Sequence, residues 1–251
     1  MMGTPPLVSV MIGTMAGRKP FLRQAVKYFL GQDYPAEKLE LIVLDDDPAP
    51  GDLGFIDHPR IKYVHFDSPV MLGKKLNTAI SQYAHGDFLV KLDDDDWHSP
   101  RLVSSILTRL HEEDPKKSMT VLRGYPVFML REWVLKDPPE KIRAGTAMAF
   151  HRRVWARKQY REDLPVEDTI FFKDHAEDSL SRDIWDSTLL VMIRHGIGHL
   201  WRHVGAETHG DYLLRAPDHK HMIEDILPSE DLEFYKRMRA ELWPEKAKAS
   251  A

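Results

Sequence analysis

The sequence Phe88-Leu89-Val90-Lys91-Leu92-Asp93-Asp94-Asp95-Asp96-Trp97-His98-Ser99-Pro100 decides how the rest of the chain is interpreted. Its apolar first part predicts a buried strand, which four carboxylates follow directly, and Ser99 and Pro100 fit the cap and first position of a helix. Adjacent negative charges repel one another unless a cation lies among them, so the segment predicts a divalent metal site. The alternative is a solvated acidic turn. Its position weakens that alternative, because ligands bind at the carboxyl ends of strands in α/β sheets.

A second acidic group follows an earlier apolar strand. Residues 39–44 predict a strand that runs directly into Asp45, Asp46 and Asp47. Around these two groups, the first half alternates predicted strands (7–12, 39–44, 61–65, 88–92) with amphipathic helices (20–30, 74–84, 101–110). This alternation predicts an α/β fold with a mostly parallel central sheet flanked by helices. Since parallel strands end at the same edge of a sheet, both acidic groups are expected in one site.

Composition excludes several classes of protein. The net charge of −4 provides no basic field, so no nucleic-acid partner is expected. The absence of cysteine excludes disulfides, thiolate metal sites and a cysteine nucleophile. No apolar run approaches the roughly 20 residues of a membrane span, and the N-terminus lacks the features of a signal peptide. We expect a cytoplasmic protein, with peripheral attachment to a membrane left open.

Several spaced motifs together resemble the inverting family-2 glycosyltransferases of the GT-A fold, over residues 7 to about 201. The motifs are the opening strand and helix (8–34), Leu44-Asp45-Asp46-Asp47-Pro48, Leu72-Gly73-Lys74-Lys75-Leu76-Asn77, Leu92-Asp93-Asp94-Asp95-Asp96-Trp97, Val166-Glu167-Asp168-Thr169 and Arg194-His195-Gly196. Leu76 departs from the family pattern, which has arginine there. The resemblance implies transfer of a sugar from a nucleotide-sugar donor, a UDP-sugar first, to a hydroxyl group of a glycan or other acceptor.

For the metal, the resemblance implies an Asp-x-Asp site. Asp95, with Asp93 nearby, would hold Mg²⁺ or Mn²⁺ as a Lewis acid on the departing diphosphate. His195 would be a further ligand, which favours Mn²⁺ because imidazole is a softer donor. The alternative for His195 is a capped or solvated loop histidine. The later histidines 199, 203 and 209 suggest a metal cage, or equally one solvated helical face.

For the donor, the resemblance implies that Asp46 binds the nucleotide base with help from Asp45, while Asp47 has a structural role in a turn. Lys75 would contact ribose or phosphate, or be an ordinary exposed lysine. The remaining residues expected at the donor are Thr14 and Arg18, which close over the nucleotide, and Asp93 and Asp94.

For the acceptor, the resemblance implies that Asp168 is the general base of a single displacement with inversion, and that Glu167 orients the acceptor or backbone. The alternative is that both carboxylates only stabilise a helix N-terminus. Small residues 145–147 are expected to line the acceptor pocket. Trp97, Trp155 and Trp201 are expected either to stack on sugars or simply to pack.

One GT-A domain is expected over residues 1–244. Its parts are a nucleotide-sugar-binding half (1–115), an acceptor and catalytic half (116–215) and a C-terminal helical extension (216–244), before a flexible tail (245–251). Two other functions stay open at this stage. One is a sugar nucleotidyltransferase, although the loop from Gly13 to Arg18 is a poor phosphate loop. The other is a non-catalytic metal- or carbohydrate-binding module, although an EF-hand is excluded because its glycine and final glutamate are missing.

Overall fold

The computed structural model describes residues 4–112, 118–137, 147–164, 167–175, 184–196 and 213–247. In these residues the chain forms a seven-stranded sheet and a separate four-stranded sheet. The strands are β1 (Val8–Thr14), β2 (Leu39–Asp45), β3 (Ile61–His65), β4 (Phe88–Asp93), β5 (Trp97–His98), β6 (Met119–Arg123), β7 (Val127–Met129), β8 (Val134–Lys136), β9 (Ala147–His151), β10 (Ile184–Trp185) and β11 (Leu190–Arg194). The α-helices are α1 (Lys19–Leu30), α2 (Leu72–Gln82), α3 (Leu102–Glu112), α4 (Arg152–Arg157), α5 (Glu167–Asp174), α6 (Ser229–Leu242) and α7 (Pro244–Ala247).

The large sheet has the order β10-β6-β9-β4-β1-β2-β3. Strands β4, β1, β2 and β3 run parallel, whereas β9 is antiparallel to both β4 and β6. The expected α/β fold with a mostly parallel sheet and flanking helices is confirmed.

Apolar side chains cover both faces of the large sheet, since alternate residues of a strand point to opposite faces. Val10 and Ile12 of β1 pack with α1 and α3 on one face, while Met11 packs with α2 on the other. Such burial on both faces explains why β1, β2 and β4 are nearly continuous apolar runs.

A third apolar cluster closes the four-stranded sheet, whose order is β5-β11-β7-β8. It joins Phe21 of α1 and Phe128 of β7 to Leu232, Phe234 and Tyr235 of α6. The C-terminal segment is therefore packed against both halves of the chain.

Several boundaries differ from the sequence predictions. Helix α2 begins at Leu72 and ends at Gln82, two residues earlier at each end than predicted. The short strands β5, β6, β8 and β10 were not predicted. The tail expected from Glu245 begins inside α7, because Pro244 fits a first helical position and Trp243 packs against the third cluster. Among the described residues, no helix is long and apolar enough to span a membrane.

Candidate active site

The two acidic groups meet at the carboxyl end of β1. In the sheet register, Gly13 is opposite Asp93 of β4, and Thr14 is opposite Asp45 of β2. Strand β1 thus separates two acidic strand ends by one strand spacing, about 4.8 Å on each side. The sequence prediction that both groups lie at one edge of the sheet agrees with this register.

Arg18 lies between two of the four consecutive aspartates. Its guanidinium reaches Asp94 at 2.7 Å and Asp95 at 2.9 Å. Burial opposes its charge, but Asp94, Asp95 and Asp93 together raise the pKa of Arg18, so it stays cationic. The Thr14 hydroxyl donates to Asp94 at 2.6 Å. Burial raises the pKa of Asp94 to about 6, although Arg18 opposes this change.

Three of the aspartates form a cluster with the donor set of a divalent metal site. One carboxylate oxygen from each of Asp93, Asp95 and Asp96 lies within 4.8 Å of the others. Lys91, two residues before Asp93 on the same face of β4, reaches Asp93 at 2.6 Å. Asp96 accepts a hydrogen bond from the Ile193 amide at 2.9 Å. Arg18 and Lys91 thus place two positive charges beside the four consecutive carboxylates.

His195 follows β11 and lies against the same cluster. Its Nε2 atom is 3.0 Å from a carboxylate oxygen of Asp95, and the Phe21 ring stacks on the imidazole at a centroid distance of 4.1 Å. Burial lowers the pKa of His195, while Asp95 raises it. The neutral ring that burial favours is the form in which histidine binds a metal.

Asp45 and Asp46 are both buried and held by different partners. Asp45 accepts hydrogen bonds from the Asp47 amide at 2.8 Å and the Tyr63 hydroxyl at 2.9 Å. Asp46 accepts one from the Val70 amide at 2.9 Å. The turn expected before Pro48 is present, since Asp47 in turn accepts a hydrogen bond from the Ala49 amide.

Lys75 is buried and binds protein groups. Its ammonium reaches Asp46 at 2.8 Å and donates to the Thr14 carbonyl at 2.6 Å. It therefore ties α2 to the ends of β1 and β2 and is not an ordinary exposed lysine. Its expected contact with ribose or phosphate stays a prediction.

Asp168 lies in the first turn of α5 and is partly buried. Burial raises the pKa of Tyr125, and the charges of Asp96, Asp168 and Asp93 raise it further. Tyr125 therefore interacts electrostatically both with Asp168 and with two aspartates of the acidic cluster. Glu167 begins the same helix, and its side chain is outside what the structure describes.

Sequence reasoning missed three residues beside the cluster. The Tyr125 hydroxyl is buried and has no hydrogen-bond partner among the described residues. Lys91 could have been found from the sequence, because a lysine inside an apolar strand is unusual. Asp231 binds the Trp97 indole N–H at 3.0 Å. No pattern signals this pair, because 134 positions separate the two residues.

Of the remaining residues predicted for the site, two tryptophans pack within the protein, and most of the others are outside the described residues. Trp97 is buried against Tyr28, and the Trp155 indole donates to Asn77 at 2.9 Å, so both indoles have protein partners. Residues 145, 146, 199, 201, 203 and 209, expected in the acceptor pocket, a stacking position or a metal cage, are outside the described residues.

Solved structures of similar shape include a mannosyltransferase and a protein in complex with UDP. The mannosyltransferase PcManGT from Pyrobaculum calidifontis, solved with GDP-Man and Mn²⁺, is 20% identical with a TM-score of 0.59; the match covers 98% of this chain and 74% of that one. S. aureus TarS (1–349) in complex with UDP is 16% identical with a TM-score of 0.53; the match covers 94% of this chain and 70% of that one. At these identities the likeness shows the GT-A fold.

A family model provides the closer assignment. No curated protein matches the chain. The model described as glycosyl transferase family 2 matches residues 9–158, which contain β1 from its second residue, both acidic groups, Arg18 and Lys75. This range is more than half of the chain and includes the cluster of Asp93, Asp95 and Asp96. The chain therefore belongs to glycosyl transferase family 2.

Proposed function

We propose that this enzyme is a metal-dependent, inverting glycosyltransferase that moves a sugar from a nucleotide sugar, a UDP-sugar first, to an acceptor hydroxyl. The observation that carries the proposal is the cluster of Asp93, Asp95 and Asp96 at the carboxyl end of the parallel strands, with ligand oxygens within 4.8 Å of one another. A carboxylate cluster at this edge suits a ligand that brings a cation and a diphosphate together.

The donor set fits Mn²⁺ or Mg²⁺. Asp93 and Asp95 would hold the ion with Asp96 beside them, and His195, next to Asp95, would be a further ligand. Carboxylates suit both ions, and a histidine ligand favours Mn²⁺. When bound, the ion supplies a Lewis acid for the leaving diphosphate. The PcManGT structure, which holds Mn²⁺, supports the same choice.

The groups on either side of β1 would bind the nucleotide. Asp45 and Asp46 would face the base, while Thr14, Arg18 and Asp94 would close the site on the other side. Lys75 holds Asp46 and the Thr14 carbonyl in one arrangement, so it would act on the donor through these groups as well as by its charge. A UDP-sugar is the first choice, and GDP-sugars are the alternative, because the similar structures hold UDP and GDP-Man.

Asp168 would take the proton from the acceptor hydroxyl as its oxygen attacks the anomeric carbon. One base and one neutralised leaving group suffice for a single displacement, which inverts the anomeric configuration. The charges of Asp168 and Asp96 both raise the pKa of Tyr125, which supports a base close to the donor site. Glu167 would orient the acceptor or neighbouring backbone. Residues 1–115 would thus form the donor half of the domain, and residues 116–215 the acceptor half.

Family membership decides against the two other functions considered. A sugar nucleotidyltransferase also uses carboxylates and a metal, but would leave Asp168 without a role. A non-catalytic module would need neither the base nor the donor groups around β1. The carboxylate cluster alone fits both alternatives, but neither of them gives Asp168 a role.

Binding and transfer can be tested in sequence. A thermal-shift panel of UDP, GDP, CDP and dTDP, each with Mn²⁺, Mg²⁺ or EDTA, should give a metal-dependent rise in Tm for one nucleotide, since a ligand that binds the native state stabilises it. Proton NMR of products from the matching sugar donors should then show the anomer opposite to that of the donor. Asp168→Asn should keep the nucleotide shift and lose at least about 100-fold in turnover. Asp163→Asn, an exposed carboxylate paired with Arg161, is the control and should retain both.

Three results would contradict parts of the proposal separately. Nucleotide shifts that persist in EDTA would remove the metal. A retained anomeric configuration would remove the single displacement. Full turnover by Asp168→Asn would remove the base.

A further inference from the structure

We infer that helix α6 positions the acidic segment of the active site, and that Asp231 is the positioning residue. Helix α6 is outside the part of the chain that matches the family model. The inference concerns the segment 93–98 as a structural unit, and its catalytic meaning rests on the proposed function. Two separate chains of contacts connect α6 to this segment.

The first chain ends on Trp97, the residue that follows the four aspartates. Asp231, in the first turn of α6 and only 4% exposed, accepts a hydrogen bond from the Trp97 indole N–H at 3.0 Å on one carboxylate oxygen. Its other oxygen accepts from Gln24 at 2.7 Å and from Lys27 at 3.2 Å. Both oxygens are thus engaged, and the carboxylate joins α6, α1 and the acidic segment.

The backbone of the same segment is held from another side. Trp97 and His98 pair with Val191 and Leu190 of β11, and the Ile193 amide donates to Asp96. Trp97 therefore links the backbone pairs between β5 and β11 to the Asp231 carboxylate of α6. Loss of this anchor removes a side-chain restraint on the residue that directly follows Asp96, in a strand of just two residues.

The second chain reaches the cluster through aromatic rings. Phe234 of α6 packs edge-on against Phe21 at a centroid distance of 5.8 Å. Phe21 stacks on His195 at 4.1 Å, and His195 contacts Asp95 at 3.0 Å. One turn of α6 therefore supports Asp95 and Asp96 from two directions, as groups behind metal ligands commonly do.

Simple packing of α6 would give stability without setting the acidic segment, so the two roles need different variants. Asp231→Asn keeps the size of the side chain but leaves one acceptor oxygen for three donors. Trp97→Phe keeps an aromatic ring and removes the N–H donor. Glu230→Gln, at an exposed carboxylate that shares Lys27, is the matched control. Met238→Ala truncates a buried side chain of α6 that takes no part in either chain of contacts, so it serves as the destabilised control.

The main measurement is amide hydrogen exchange of residues 93–98 in metal-free protein, beside the melting temperature. Asp231→Asn and Trp97→Phe should speed this exchange about tenfold, whereas Glu230→Gln should leave it at the wild-type rate. Met238→Ala should lower Tm and speed exchange in the segment by no more than in the strands β1 and β2. As a second readout, Asp231→Asn should weaken Mn²⁺ binding, followed by electron paramagnetic resonance of free Mn²⁺, by about tenfold.

Unchanged exchange in Asp231→Asn would overturn the inference. So would an equal increase in Asp231→Asn and Met238→Ala at matched loss of Tm, because α6 would then only stabilise the fold. Failure of the wild-type protein to bind Mn²⁺ would instead contradict the proposed metal centre. The exchange comparison would still decide the role of Asp231, since it needs no metal.

Discussion

Asp46 and Asp94 lie on opposite sides of β1, and each is held by a cation from a distant segment. Lys75 of α2 binds Asp46, and Arg18, just before α1, binds Asp94. Both carboxylates are buried, where an unpaired charge is costly. Each cation therefore compensates the charge of a buried carboxylate and fixes its position at the end of β1.

Lys75→Met should destabilise the protein and weaken nucleotide binding together. The change leaves Asp46 buried without its ammonium partner and removes the hydrogen bond to the Thr14 carbonyl, so a loss of about 3–5 kcal/mol in the free energy of unfolding is expected. Denaturant unfolding followed by circular dichroism measures the loss, and titration with UDP measures binding.

Its neighbour Lys74 supplies the control for this change. The side chain is exposed and lies on the same helix, so Lys74→Met should alter stability by less than about 0.5 kcal/mol. If Lys75→Met were as mild as Lys74→Met, the buried ion pair would have no structural role.

Burial of His98 should make the free energy of unfolding fall as the pH is lowered below about 6.5. Burial lowers its pKa from the ordinary 6.5 to about 4, against the opposing charges of Asp93 and Asp95. As the pH falls through 6.5 the unfolded chain takes up this proton before the folded one, so stability is lost between about pH 6.5 and 4, by roughly 3 kcal/mol in all. Asp94, whose pKa burial raises to about 6, acts in the opposite direction, because there the folded state takes the proton first.

The contribution of His98 is isolated by the difference between two proteins. His98→Gln has no titrating ring, so its unfolding free energy relative to wild type should rise by roughly 3 kcal/mol from pH 7 to 4, while the effect of Asp94 cancels. Urea unfolding in EDTA at several pH values gives this difference. A difference that stays constant over this range would show that His98 is not kept neutral by burial.

At the scale of elements, the sequence predicts what is periodic and local. The helices and strands of the first half carry long apolar patterns, and their predicted and observed bounds agree within about two residues. Strands β5, β8 and β10 have two or three residues each, too few for a period to show. The antiparallel place of β9 between β4 and β6 is set by pairing across the sheet, which no local pattern contains.

In the site, too, local features are predictable from the sequence and contacts between distant residues are not. The acidic strand ends are predictable from the sequence because each strand and the aspartates that follow it belong to one stretch of chain. The partners of these aspartates are not, because Arg18 and Asp94 are 76 positions apart, and His195 and Asp95 are 100 positions apart. A resemblance to a known family named several of these partners, but it did not show that Arg18 and Lys75 bind protein carboxylates.

At the scale of the whole molecule, residues 216–247 complete the third apolar cluster. Phe21, Phe128, Val191 and Ile193 are each at most 1% exposed, and they pack with Ile223, Leu227, Leu232, Phe234, Tyr235 and Met238. These first four residues come from both halves of the chain. The segment expected to be an extension therefore seals the face where the two halves meet.

A chain that ends at Arg215 should consequently fail to reach a stable fold. Removal of the later residues uncovers the cluster side of Phe21, Phe128 and Ile193 together, and a contiguous apolar surface of this kind favours aggregation. Soluble yield, binding of the dye ANS and the cooperativity of urea unfolding measure the effect. A chain that ends at Ala247 is the control and should unfold like the full protein, because it keeps α6 and the whole cluster. If the chain ending at Arg215 unfolded in one cooperative transition without binding ANS, residues 216–247 would be an appendage, and Asp231 could not hold the acidic segment in place.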